Sequence, residues 1–166
     1  SRTAARPGAD CGRGWQELPG ARGKLEVLDS AGFSLLSWNA YKGQGERWPE
    51  DFRSLAAERD LVLLQEAHLT PSFRAALEAS GLRWVMVRAF DYGGAETGVL
   101  TAATVSASAA CVNRTAEPLV RLPKSALITR YGLSGSADEL WVINLHGVNF
   151  TLGTEGFGKQ LQTLAQ

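Results

Sequence analysis

The chain has 166 residues with 17 Lys and Arg against 17 Asp and Glu, two His, two Cys and 45% hydrophobic residues, the profile of a globular protein of about one domain. A net charge of zero excludes the global basic footprint of a histone-like nucleic-acid binder and leaves room for a local basic patch. No run approaches the roughly 20 consecutive apolar residues that cross a bilayer, and Cys11 and Cys111, without a CxxC pair, are too few for a disulfide-dense scaffold or a zinc site. They read as free thiols of a reducing, cytoplasmic compartment.

Residues 1–31 hold Pro7, Gly8, Gly12, Gly14, Pro19, Gly20 and Gly23 among mixed charges, so no apolar period is established and an irregular or flexible lead is expected. The organised domain is expected over 32–166. Residues 33–39 make a short strand running into Asn39, and Lys42-Gly43-Gln44-Gly45 has turn chemistry. Trp48, Phe52, Leu55 and Ala56 then recur at helical spacing, with Pro49 at the start of the helix. The run Leu-Val-Leu-Leu-Gln-Glu66 has no polar alternation, as in a strand covered on both faces. Thr70 and Pro71 open a second helix that presents Phe73, Ala76 and Leu77 inward and ends at Gly81. This alternation marks an α/β domain.

Strands are expected next over 83–90, 98–105, 106–113, 125–131 and 139–146, with hairpin-like connections that make the sheet mixed. Trp38, Trp84 and Trp141 fall within strands and are expected in the core. Phe157, Leu161 and Leu164 predict an amphipathic helix over 154–166. The lack of an initial Met and the ending inside this helix read as cuts at both ends, the second of them into the domain.

Three apolar strands end in polar residues, at Asn39, Gln65-Glu66 and His146. Ligands of α/β sheets sit beyond such carboxyl ends, where loops diverge from a rigid backbone. A carboxylate at the lip of a dry core needs a partner, so Glu66 suits a hard cation such as Mg2+, or else a nearby Arg or a helix cap. His146 can serve as general acid or base or stand beside a phosphate, or it can bond a backbone carbonyl. His68 reads as an exposed loop residue. Asn39 and Asn149 can orient a carboxylate and a phosphate, although the turn reading is the commoner one. Arg114, Arg121, Lys124 and Arg130 against the single acid Glu117 make a basic stretch, of which Lys124 is the best placed to meet a polyanion and a solvated edge is the commoner explanation. No nucleophile elbow, P-loop or dinucleotide fingerprint occurs. A metal-assisted hydrolase remains.

The motifs Leu-Leu-Ser-Trp-Asn39-Ala-Tyr-Lys-Gly, Asp60-Leu-Val-Leu-Leu-Gln-Glu66-Ala and Val-Ile-Asn-Leu-His146-Gly-Val-Asn149-Phe resemble, in this order and spacing, the endonuclease/exonuclease/phosphatase superfamily. The nearest likeness is to its bacterial YafD-like subgroup, over about 33–166. The resemblance implies a DNase I-like four-layer α/β sandwich of two mixed sheets flanked by helices, represented by its N-terminal part. It implies a phosphoesterase, nuclease- or phosphatase-like, that uses Mg2+, or Mn2+ in its place, on a phosphate-ester substrate such as nucleic acid, nucleotide or phospho-headgroup, as a monomer. Residue by residue, Glu66 matches the family's metal-binding Glu and Asn39 the Asn that supports it. His146 matches a His or Tyr contacting the scissile phosphate, Asn149 a phosphate-site Asn, and Lys124 a basic phosphate contact. The family's Gly-Asp-Phe-Asn and Ser-Asp-His motifs do not occur in these residues, so inactivity of this length of chain is expected. The competing reading is a non-catalytic binding or scaffold module that retains the fold.

Overall fold

A computed structural model describes residues 2–4, 11, 14–18, 26–116, 123–146 and 162, with side chains for all but 2–4, 114–116 and 123–124. Strand β4 (Leu61–His68) carries the centre of the fold. Its apolar run lets both faces be covered: Leu61 and Leu63 join one buried cluster, while Val62 and Leu64 join another, as the two-residue period of a strand requires. The helices α1 (Trp48–Ala56) and α2 (Pro71–Ala79) close the second cluster with Phe52, Phe73 and Leu77. The hydroxyl of Thr70 accepts from the Phe73 N–H at 3.2 Å, so α2 starts on the expected cap.

The first sheet has the order β1 (Arg2–Ala4), β5 (Arg83–Tyr92), β6 (Ala95–Ala103), β4, β3 (Leu35–Asn39). It is mixed, with β1 parallel to β5, β3 parallel to β4, and the other pairs antiparallel. Gly93 and Gly94, at φ 55° and 81°, make the tight turn between β5 and β6 that residues with a Cβ strain to adopt. The second sheet is antiparallel throughout, in the order β2 (Gln16–Glu17), β7 (Ala109–Ala116), β8 (Pro123–Gly132), β9 (Glu139–Leu145). Val85, Val87, Val99, Val112, Leu127 and Val142 meet between the sheets. Helix, sheet and sheet thus make three layers. Among the described residues no helix lies on the second sheet's outer face, and the helix expected over 154–166 falls outside them but for Gln162.

The described parts of the stretch expected as an irregular lead pack against both sheets. Residues 2–4 pair with β5 and 16–17 with β7, while Leu18 and Leu28 are buried between the sheets. Trp141 also departs from expectation. On an antiparallel sheet covered on one face, alternate residues face water, and it is Val142 and Asn144 that β9 turns inward, leaving Trp141 and Ile143 exposed. Trp141 instead meets the edge of Trp15 at 4.9 Å between ring centroids.

Cys11 and Cys111 are not free thiols. They form a disulfide across 100 residues of sequence, which ties the lead to β7, where Cys111 is fully buried. Closing so long a loop restricts the unfolded chain and stabilises the fold by about 4 kcal/mol. Cys11→Ser should therefore lower the melting temperature by about 10 °C, and reductant should do the same to the unsubstituted protein. Coincident melting curves with and without reductant would show that the bond carries no stability.

Candidate active site

The site begins with a fault in a ladder. Leu64 of β4 pairs with Leu100 of β6, but Ala67 pairs with Gly98, so Gln65 and Glu66 form a bulge. Bulges re-aim side chains, and here Glu66 takes φ 50°, a left-handed conformation that residues with a Cβ adopt at a cost. Gly98, opposite Ala67, is crowded from its other neighbour: a Cβ there would lie 1.8 Å from the Val87 carbonyl oxygen of β5, where that ladder also shifts register, so only glycine fits.

Two strand ends and a turn deliver partners to the re-aimed carboxylate. From the end of β3, Asn39 donates through Nδ2 to Glu66 Oε1 at 3.3 Å, while its Oδ1 accepts from the Tyr41 N–H at 2.9 Å. Asn39 is thus both the turn residue and the carboxylate's support. From the turn after β3, Lys42 donates through Nζ to Oε2 at 2.9 Å. From the end of β9, in the other sheet, His146 brings Nε2 to 3.5 Å from Oε1. The Glu66 side chain is 19% exposed. Burial pushes its pKa up, but hydrogen bonds from Lys42 and Asn39, with the charges of Lys42 and His146, outweigh that and leave it below the ordinary value. The carboxylate is ionised at neutral pH.

A second layer of polar contacts joins the sheets below the site. Gln65 donates through Nε2 to Asn144 Oδ1 at 2.8 Å. Asn144, only 1% exposed, donates in turn to the carbonyls of Leu100 at 2.9 Å and Leu64 at 3.3 Å. The groups loosened by the bulge are therefore satisfied from the opposite sheet, as buried polar atoms require.

Of the residues singled out from the sequence, Asn39, Glu66 and His146 converge. The register that sets Ala126 opposite Leu145 brings the start of β8, with the Lys124 backbone, to the same end of the sheet as His146. The Lys124 side chain and Asn149 lie outside the described residues. His68 is not an exposed loop residue. The bulge lets β4 continue through it, and it is buried, with Nε2 2.8 Å from the Tyr92 carbonyl oxygen. Sequence reasoning took Lys42 for a turn residue and did not weigh Gln65 or Asn144. The signal for Asn144 was a polar residue two positions before His146, on the same side of the strand.

One carboxylate beside a neutral amide is a donor set that suits Mg2+, a cation that keeps most of its waters and takes few protein ligands. Among the described residues no cluster of three His, Cys, Asp or Glu offers a denser cage.

No family model matches the chain. It is 43% identical over 140 residues to a UPF0294 protein of Vibrio cholerae, covering 84% of this chain and 50% of that one. It is 39% identical over 127 residues to a UPF0294 protein of Klebsiella pneumoniae, covering 76% and 48%. The chain spans about half the length of the curated relatives it matches. Among solved structures, an endonuclease/exonuclease/phosphatase family protein from Leptotrichia buccalis superposes with a TM-score of 0.56 at 15% identity, over 81% of this chain and 62% of that one. D. rerio TDP2, solved with a single-strand DNA product, superposes at 0.54 with 20% identity, over 80% and 52%. At such identities the likeness is one of fold, and it bears out the DNase I-like architecture expected from the motifs.

Proposed function

From a chain that has the endonuclease/exonuclease/phosphatase fold and is similar to half the length of UPF0294 proteins, we propose that the whole protein is a divalent-cation-dependent phosphodiesterase with Glu66 at its metal site. One observation carries this reading: Asn39, Lys42 and His146, from both sheets, converge on an ionised Glu66 held out by a bulge. Stabilising Glu66 alone would not require three donors from separate elements. It is the gathering of cationic and hydrogen-bonding groups about one carboxylate that suits a transferring phosphoryl group.

Glu66 would hold Mg2+, with Asn39 fixing the orientation of its carboxylate. When bound, the cation supplies Lewis-acid polarisation of a phosphoryl oxygen and neutralises developing charge. The chain's own residues position the substrate. His146 offers an N–H to a non-bridging phosphate oxygen or a proton to the departing one, and Lys124, whose backbone lies at the same end of the sheet, and Asn149, which follows His146 closely in sequence, would add phosphate contacts. Substrates are phosphodiesters, with single-stranded DNA among the first to try because a neighbour in fold was solved with such a product.

The disulfide favours an oxidising compartment over the reducing cytoplasm expected for free thiols. Among the described residues no helix is long and apolar enough to cross a membrane.

The whole protein should hydrolyse bis(p-nitrophenyl) phosphate with Mg2+ or Mn2+, and EDTA should abolish the turnover. Hydrolysis undiminished by EDTA rejects the metal. Failure to hydrolyse either this ester or a DNA oligonucleotide, with no binding of the oligonucleotide by calorimetry, rejects the phosphodiesterase reading altogether.

A further inference from the structure

Four non-glycine residues have positive φ among those described, and three of them, Tyr41, Lys42 and Glu66, meet at this one place. Strain of this kind persists only where surrounding structure enforces it, and it gathers at functional sites. The turn Tyr41–Gly43 is left-handed at Lys42, with φ 58° and ψ 22°, and this conformation delivers the ammonium to Glu66. A salt bridge serving stability alone needs no such turn, because a long flexible side chain reaches a partner from many backbone conformations.

The ammonium is also boxed in. Its Nζ lies 5.6 Å from the Tyr41 ring centroid and 5.8 Å from that of Tyr92, both rings being exposed at their outer sides. Tyr92 is anchored in turn, because buried His68 sits 2.8 Å from its carbonyl oxygen and meets its ring edge-on. Both rings already stand within cation–π range of the ammonium while it holds Oε2, so they keep attracting it when it lets go of the carboxylate.

Resting on the reading of Glu66 as a metal ligand, we propose that Lys42 is an exchangeable counter-ion. It occupies Oε2 while no metal is bound, lets go of that oxygen when a divalent cation arrives while staying beside Tyr41 and Tyr92, and there binds a non-bridging oxygen of the substrate phosphate. An ammonium at Oε2 repels a dication drawn to the same carboxylate, so the two compete for it. Once it lets go, its three N–H donors have lost their acceptor and can bind a phosphate oxygen instead. Lys42 therefore competes with the metal and favours the substrate. These opposite signs separate the proposal from a structural salt bridge.

Binding of Mn2+ to the whole protein, followed by the electron paramagnetic resonance of the free ion, tests the competition without recourse to activity. Lys42→Gln should bind Mn2+ about tenfold more tightly than the unsubstituted protein, while its KM for the phosphodiester rises. Lys42→Arg, which keeps the charge, should bind Mn2+ as the unsubstituted protein does and serves as the control for the turn. Glu66→Gln should lose the site. Lys42→Gln binding Mn2+ equally or more weakly, while Glu66→Gln still loses it, overturns the exchange and leaves the metal assignment intact. Absence of any Glu66-dependent Mn2+ binding overturns the metal assignment, and the exchange falls with it.

Discussion

Glu66→Gln in the whole protein should lower kcat for phosphodiester hydrolysis by about 10^3-fold or more while leaving the fold in place. The substitution keeps size and one acceptor oxygen but removes the negative charge on which Asn39, Lys42 and His146 converge. A metal held by a single carboxylate has nothing to replace it, and the several kcal/mol of charge stabilisation that a bound cation supplies translate into a loss of this order. The effect on stability is small by comparison. Glu66 is partly exposed, and breaking its link to Lys42 costs about 1 kcal/mol or less. Turnover of the variant under saturating Mg2+, read beside its melting curve, decides the matter. A folded Glu66→Gln protein with undiminished kcat removes Glu66 from the chemistry. Asn39→Ala should fall between the two, because the carboxylate stays and only its orientation is loosened.

Much of this site was legible because its logic is local. An apolar run that ends in a carboxylate, a strand that runs into Asn39 and another into His146 each state their own place at a strand end. The helix cap at Thr70 and the unbroken apolar run of β4 are equally local. What could not be read depends on partners distant in sequence. The link between Cys11 and Cys111 spans 100 residues, and two cysteines without spacing constraints do not announce a pair. The bulge at Gln65 and Glu66 exists only in register with β6. Without it, His68 falls past the end of the strand and reads as a loop residue. Lys42 looked like turn chemistry, and it does lie in a turn, but the left-handed backbone that brings it to Glu66 is not announced by its residue type. Trp141 was misplaced for a related reason: an apolar ring and a polar amide exchange their usual faces when the amide, Asn144, has buried carbonyls to satisfy.

Asn144 leads to the largest effect expected outside the carboxylate itself. Its amide accepts from Gln65 and donates to the Leu64 and Leu100 carbonyls, so it bridges the two sheets at the bulge that re-aims Glu66. Asn144→Leu fills a similar volume yet takes Asn144 away from two carbonyls in a dry interior and from part-exposed Gln65, which keeps Ser37 Oγ at 3.4 Å. An orphaned buried group costs about 1–3 kcal/mol, and partial rearrangement around the two carbonyls brings the expected loss to about 3 kcal/mol, a fall of about 10 °C in melting temperature. Activity should fall further than stability explains. Well below the melting point nearly every molecule is folded, so a structural loss alone leaves kcat unchanged, whereas release of the bulge lets Glu66 and His146 drift apart and lowers kcat even in the folded protein. Asn144→Asp makes the distinction sharper. It keeps the acceptor for Gln65 but cannot donate to the two carbonyls when ionised, so its melting temperature should rise as pH falls through the raised pKa of that buried carboxyl, where protonation restores one donor. A melting temperature that is flat with pH for Asn144→Asp, together with an unchanged kcat for Asn144→Leu at 25 °C, would show that the bridge between the sheets does not set the geometry of the site.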